Sequence, residues 1–189
     1  MPSLKVVNVV ASTRVAEDLN LPDIAVQLNC EYEPEQFPGV VYRVVKPKLA
    51  ILMFRSGRAV CTGGKNFNDI QVGINQMLKD LRDAGIETWD DDQVKIEVQN
   101  MVATYALGVP LNLNQLTLSL AFDKVEYEPE QFPGLVYKLS DPATTFLLFS
   151  NGKLVCTGTK NRGQLDEAMK QLNKNVKAVL KRIKSKKRR

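Results

Sequence analysis

The octapeptide YEPEQFPG occurs at residues 32–39 and again at 127–134. Each copy places a Phe, Phe37 or Phe132, between acids and a Pro-Gly pair. Two prolines and a glycine at these spacings mark a projecting turn. A large apolar ring on such a turn has little to pack on unless it inserts into another molecule. Asn8 and Asn100 form a second pair, at matching places inside the apolar stretches VVNVVAST and VQNMVATY. A buried Asn without partners is costly, and a pair related by internal symmetry implies a ligand with matching pseudosymmetry. Bond-breaking chemistry has little to work with. The chain has no His, which removes the commonest general base and metal ligand, so an enzyme would have to use Asp, Glu, Lys or Cys alone. Cys30, Cys61 and Cys156 are odd in number and widely spaced, which indicates neither a disulfide framework nor a zinc site. Cys61 and Cys156 lie in matching VCTG segments and read as core. No catalytic residue, metal or cofactor is assigned.

The net charge of +5 is unevenly placed. Residues 177–189 hold eight Lys or Arg and no acid, which leaves 18 basic against 21 acidic residues in 1–176. The body is therefore no generic polyanion binder. Binding to nucleic acid must use placed or apolar contacts, with the tail adding a nonspecific term. No apolar run approaches the ~20 residues that span a bilayer. The opening MPSLKVVNVVAST turns polar too quickly for a signal peptide. A soluble, intracellular protein with no membrane partner is expected.

The elements that would position these residues are themselves doubled. Residues 32–66 align with 127–161 at a constant offset of 95, with 20 of 35 positions identical. VVNVVAST matches VQNMVATY at an offset of 92. Two copies, 1–92 and 93–189, cover the chain, with a basic tail from about 184 and the WDDD run at 89–92 as the linker. Each copy reads as an apolar strand (Lys5–Thr13; Val94–Tyr105), then a short helix behind an Asn cap (Leu21–Asn29; Leu113–Ala121). A brief strand leads into the octapeptide. Three strands follow: Val40–Val45, Leu49–Phe54 and Arg58–Thr62, then Leu135–Leu139, Thr145–Phe149 and Lys153–Thr157. RSGR and SNGK are hairpin turns. A long amphipathic helix closes each copy, through Ile70, Ile74, Met77, Leu78 and Leu81 to a stop at Gly85, and through Leu165, Met169, Leu172, Val176, Val179, Leu180 and Ile183. The count is ten strands and four helices, antiparallel because the connections are short.

The strands carry one apolar face too many. In LAILMF, Leu49, Ile51 and Met53 point one way and Ala50, Leu52 and Phe54 the other. A half-buried antiparallel sheet should alternate apolar with polar. Two long helices can cover one face, and nothing remains to cover the second. Either the copies or a homodimer sandwich that face, or it is an exposed binding surface.

At these residues the sequence resembles the TATA-box-binding protein family, its archaeal members in particular. QNMVAT, the doubled YEPEQFPG, Pro47-Lys48, LMFRSG and LLFSNG, and the doubled CTG.KN carry the resemblance, over essentially the whole chain. It implies an α+β fold of two direct repeats forming a saddle, a ten-stranded antiparallel sheet with four helices on the convex face. It implies that Phe37, Phe54, Phe132 and Phe149 wedge into DNA. Asn8, Asn100, Thr62 and Thr157 would contact base edges, over an apolar floor of Val10, Leu52, Val60, Val102, Leu147 and Val155. Arg43, Arg58, Lys65, Lys138, Lys153 and Lys160 would contact phosphates. The minor groove of A·T pairs offers only acceptors, whereas G·C adds an amino group, so an apolar floor tolerates A·T. Glu128 and Glu130 would bind transcription factor B, with RNA polymerase recruited indirectly. A homodimer through the concave face in the absence of DNA is the other cover for that face.

Two departures from the family pattern stand out. The basic C-terminus replaces the acidic end of many archaeal relatives, and Asp141 and Ala143 stand where the first copy has Lys46 and Lys48. The competing expectation is a module of the same fold that binds protein or RNA without promoter function. Retention of all four Phe and both Asn separates the two.

Overall fold

The computed structural model describes residues 4–120 and 124–186, with side chains to residue 182. Ala121 of the expected short helix, the side chain of Ile183 and residues 187–189 of the basic tail therefore lie outside the described residues, and 184–186 are described as backbone alone. The chain divides into two compact units: Val7–Gln99, and the residues before 7 together with those from 100 onward.

In the first unit β1 (Lys5–Arg14), α1 (Leu21–Gln27), β2 (Gly39–Val44), β3 (Leu49–Phe54), β4 (Arg58–Gly64) and α2 (Phe67–Asp83) follow in order. The strands lie β2-β3-β4-β1, each neighbouring pair antiparallel. The Asn20 side chain caps α1 by accepting from the Asp23 N–H at 3.3 Å, and Asn66 caps α2 through the Asp69 N–H at 2.8 Å. These caps satisfy amides that the first turn leaves unpaired. α2 stops where expected. Gly85 takes a positive φ of 77°, and the Ile86 N–H returns to the Leu81 carbonyl at 2.9 Å, a left-handed helix end that glycine permits. Trp89 is docked, its N–H donating to the Val15 carbonyl and its ring lying 5.1 Å beneath the Arg14 guanidinium.

The second unit repeats the plan with β5 (Glu97–Ala106), α3 (Leu113–Ser119), β6 (Val125–Glu126), β7 (Leu135–Ser140), β8 (Ala143–Leu148), β9 (Lys153–Thr159) and α4 (Arg162–Lys186). Its strands lie β5-β9-β8-β7-β6. Asn112 caps α3 through the Gln115 N–H at 3.0 Å.

Nine strands form among the described residues where ten were expected. The brief strand before the first octapeptide is reduced to a single bridge, Glu31 to Val41. The end of α1 explains this. Asn29 takes a positive φ of 49° and the Cys30 N–H is bonded to the Ala25 carbonyl at 3.0 Å, so the residues just before Glu31 are still turning out of the helix. In the second copy Val125 and Glu126 both pair, with Tyr137 and Val136.

Each half-sheet is covered on one side. Leu49, Ile51 and Met53 of β3 are buried with Ile70, Ile74, Met77 and Leu81 of α2. Phe146, Leu148, Leu154 and Cys156 share a core with Leu165, Met169, Leu172 and Val176 of α4, and Leu4 and Val6 pack against that same core. The alternate residues Ala50, Leu52 and Phe54, and Thr145, Leu147 and Phe149, are only partly buried. The surplus apolar face expected from the sequence is thus present in both units.

Candidate nucleic-acid interface

The uncovered face of each half-sheet is built on a matched register. In the first unit Val41, Leu52, Val60 and Ser12 stand in one cross-strand row, and Arg43, Ala50 and Thr62 in the next. The second unit has Val136, Leu147, Val155 and Thr104, then Lys138, Thr145 and Thr157. Residues directly opposite on one face make the closest side-chain pairs of a sheet, so Leu52–Val60 and Leu147–Val155 form continuous apolar strips.

A bulge sets the polar part of each face. Val9 pairs with Gly64 and Ala11 with Cys61, so Thr62 and Gly63 together face the single residue Val10. Thr157 and Gly158 face Val102 in the same way. Gly63 and Gly158 adopt φ of 103° and 107°, a region that side chains rarely occupy. A Cβ there would also meet the Lys48 or Ala143 carbonyl oxygen at 2.9 or 3.0 Å. The extra residue turns the glycine N–H out of the ladder, and the central Asn takes it: Gly63 N–H to Asn8 Oδ1 is 2.8 Å, and Gly158 N–H to Asn100 Oδ1 is 2.7 Å. This hydrogen bond orients the amide. With Oδ1 committed to the backbone, Nδ2 lies beside the threonine hydroxyl, 3.3 Å from Thr62 Oγ1 and 2.9 Å from Thr157 Oγ1. Nδ2 carries two hydrogens and Thr accepts one, so one donor stays open on the uncovered face of each unit.

The phenylalanines are paired. Phe37 and Phe54 meet edge to face with ring centroids 5.7 Å apart, and Phe132 and Phe149 do so at 5.9 Å. The turns that carry Phe37 and Phe132 close on themselves, the Phe N–H returning to the carbonyl of Glu33 or Glu128. Phe132 is 38% exposed, high for a ring in a folded protein. The glycines ending the octapeptides make the pairs possible. A Cβ on Gly39 would stand 2.7 Å from the Phe37 ring and 3.2 Å from Phe54; on Gly134 it would stand 2.6 and 3.1 Å from Phe132 and Phe149.

Of the six cations assigned to phosphate, two are paired. Arg43 reaches Glu31 at 3.0 Å, and Lys138, its counterpart, reaches Glu126. Exposed pairs of this kind are worth ~0–1 kcal/mol, so either cation can be surrendered to a stronger anion. Arg58, Lys65, Lys153 and Lys160 are exposed and carry no ion pair among the described residues. Glu128 and Glu130, like Glu33 and Glu35, are exposed. Burial pushes the Cys61 and Cys156 thiols up to about 11 and about 12, so neither is a thiolate nucleophile at neutral pH. No cluster of three or more His, Cys, Asp or Glu able to hold a metal occurs among the described residues.

Sequence reasoning missed Val41, Val136, Ser12 and Thr104, which complete the rows, and the glycines of both motifs. Their signal lay in the repeat itself: VCTG and the PG that ends each octapeptide stand at the same offset as the Phe.

Two copies of one α+β unit, each presenting a Phe pair, an Asn–Thr–Gly cluster and an apolar strip on its uncovered face, define a repeat protein of α+β class. The family model for transcription factor TFIID, or TATA-binding protein, matches residues 3–84 and again 95–179. The chain is 49% identical over 173 residues to a TATA-box-binding protein of Thermoplasma acidophilum, covering 91% of this chain and 93% of that one. It is 46% identical to that of Methanocaldococcus jannaschii, covering 94% and 96%. The solved structure titled Methanococcus jannaschii TBP superposes with a TM-score of 0.85 at 45% identity, covering 93% of this chain and 99% of that one. The chain belongs to the TATA-box-binding protein family.

Proposed function

We propose that this chain is a general transcription factor without catalysis that binds the minor groove of an A·T-rich promoter element. The observation that carries the reading is the doubled face: in each unit one open Asn donor, a threonine hydroxyl and an apolar strip lie on the same uncovered side as a Phe pair. A·T pairs show only acceptors in the minor groove. Asn8 and Asn100 donate to them, and Leu52, Val60, Leu147 and Val155, with Val10 and Val102, rest against a floor that the amino group of a G·C pair would obstruct. Phe37 with Phe54, and Phe132 with Phe149, insert between base steps and kink the duplex, a device for which this family is itself the standard example. Arg58, Lys65, Lys153 and Lys160, with Arg43 and Lys138 once released from their glutamates, hold phosphates and fix the register.

On the bound DNA, Glu128 and Glu130 recruit transcription factor B, and polymerase follows. The Glu33 and Glu35 turn is identical, so the choice between them comes from the surroundings, less basic in the second copy at Asp141 and Ala143. Without DNA, the apolar faces pair in a homodimer. Competition in a mobility-shift assay tests the reading: an A·T-rich duplex should displace bound probe at far lower concentration than a G·C-rich duplex at the same salt. Equal displacement would leave only charge-driven binding.

A further inference from the structure

We propose that the outward face of α4 is a second DNA-binding surface, which takes the phosphate backbone of a duplex by charge alone and is separate from the uncovered face of the half-sheet. α4 turns Leu165, Met169, Leu172, Val176 and Val179 into the core. Lys170, Lys174, Lys177 and Lys181 recur at spacings of four, three and four on the other side of the helix, and all are exposed. Residues three and four apart are neighbours on a helix surface, so the four lysines form one stripe about 16 Å long. The spacing continues in sequence to Lys184 and Arg188, and no acid follows Glu167. Lys170 lies 3.9 Å from Glu167, and Lys174, Lys177 and Lys181 carry no ion pair among the described residues.

Packing does not account for this stripe. Among the described residues the last fully buried side chain on the helix is Val179, with Leu180 partly buried beside it, the family match also ends at 179, and the helix runs on to Lys186. Like charges at these spacings repel one another, so the stripe weakens the helix until an anion neutralises it. Among the described residues, its exposed side holds no side chain more apolar than Ala178. Protein partners bind around an apolar or aromatic centre; the nearest one, a groove of Tyr105, Leu107, Val109 and Leu180, reaches the stripe only at Lys177, and Lys170, Lys174 and Lys181 do not line it. A phosphate backbone needs no such centre, because releasing its condensed counterions drives binding. Within its own unit the stripe lies beyond α4 from the half-sheet, on the side opposite Asn100 and the Phe132–Phe149 pair. A duplex on the stripe is therefore a different segment from one on that unit's uncovered face.

The test compares the full chain with the fourfold variant Lys170→Gln, Lys174→Gln, Lys177→Gln, Lys181→Gln, checked by circular dichroism for an unchanged fold. Fluorescence anisotropy on a G·C-rich duplex over a range of salt should show the log–log slope falling by roughly 3.5 in the variant, about 0.9 for each phosphate it no longer neutralises. That arm stands whether or not the chain prefers A·T. In a second arm, which rests on the proposed function, protein held on an immobilised A·T-rich duplex should capture a second, fluorescent G·C-rich duplex, and the variant should not. An unchanged slope, or capture undiminished in the variant, overturns the proposal. Should polyglutamate displace the G·C-rich duplex at a lower charge concentration than unlabelled duplex does, the assignment to DNA is overturned and an acidic protein is the ligand. Failure of the minor-groove reading would show separately, as equal affinity for both duplexes at the uncovered faces.

Discussion

Phe37 and Phe54 stand edge to face, 5.7 Å between centroids and 65° between planes, although 17 positions separate them in the chain. The register brings them together: Gly39 pairs with Phe54, and the missing side chain of Gly39 is the space the two rings share. A Cβ there would press on both rings and on the Met53 carbonyl. Gly39→Ala should therefore disturb the wedge while leaving the rest of the face intact. Expected are a stability loss of about 1–3 kcal/mol from overpacking and a smaller bend in bound DNA, with affinity for a G·C-rich duplex unchanged. Thermal melts check the first expectation and end-labelled FRET the second.

Gly158→Ala should be costly for another reason. The backbone at φ 107° resists a side chain, and the added methyl group meets the Ala143 carbonyl oxygen at 3.0 Å. Strain of this kind costs about 1–3 kcal/mol. Denaturant unfolding should register it without DNA present. The same substitution at Gly108, also at positive φ but with nothing within 4 Å of the added methyl group, should cost less.

Asn100→Ala removes an open donor and leaves the Gly158 N–H without its acceptor. On the preferred A·T-rich site the loss should be ~1–3 kcal/mol. On G·C-rich duplex, where binding is carried by charge, affinity should hold. A variant that lost affinity equally on both sequences would show that Asn100 supports the fold rather than reading bases.

The Phe, the Asn and the surplus apolar face were legible because each announces itself locally, by a ring on a Pro/Gly turn, an amide in an apolar run, or alternation that is apolar on both sides. The glycines were not, because their reason lies across the sheet. Nothing in CTG says that Thr62 and Gly63 will face one residue of β1, and only the bulge frees the N–H that orients Asn8. The missing strand at Glu31 likewise depends on how far the end of α1 unwinds into Asn29 and Cys30, a boundary that composition does not mark.

Charge reversal at Glu128 and Glu130 should weaken the ternary complex of this chain, DNA and transcription factor B by ~2–5 kcal/mol if the interface there is desolvated. Binary DNA binding should hold or improve slightly, since carboxylates repel phosphate. The same reversal at Glu33 and Glu35 should leave the ternary complex in place. Equal losses from both turns, measured by anisotropy of labelled factor, would refute the assignment of the second turn.

The proposed function requires two Phe pairs and two Asn to act together on one A·T-rich duplex. Energy transfer between dyes at the two ends of such a duplex tests it most directly, read at saturating protein and stated salt. Transfer should rise strongly with the native chain, rise less with Phe37→Ala or Phe132→Ala at equal occupancy, and change little on a G·C-rich duplex. A fully bound A·T-rich duplex with the transfer efficiency of free DNA would contradict it.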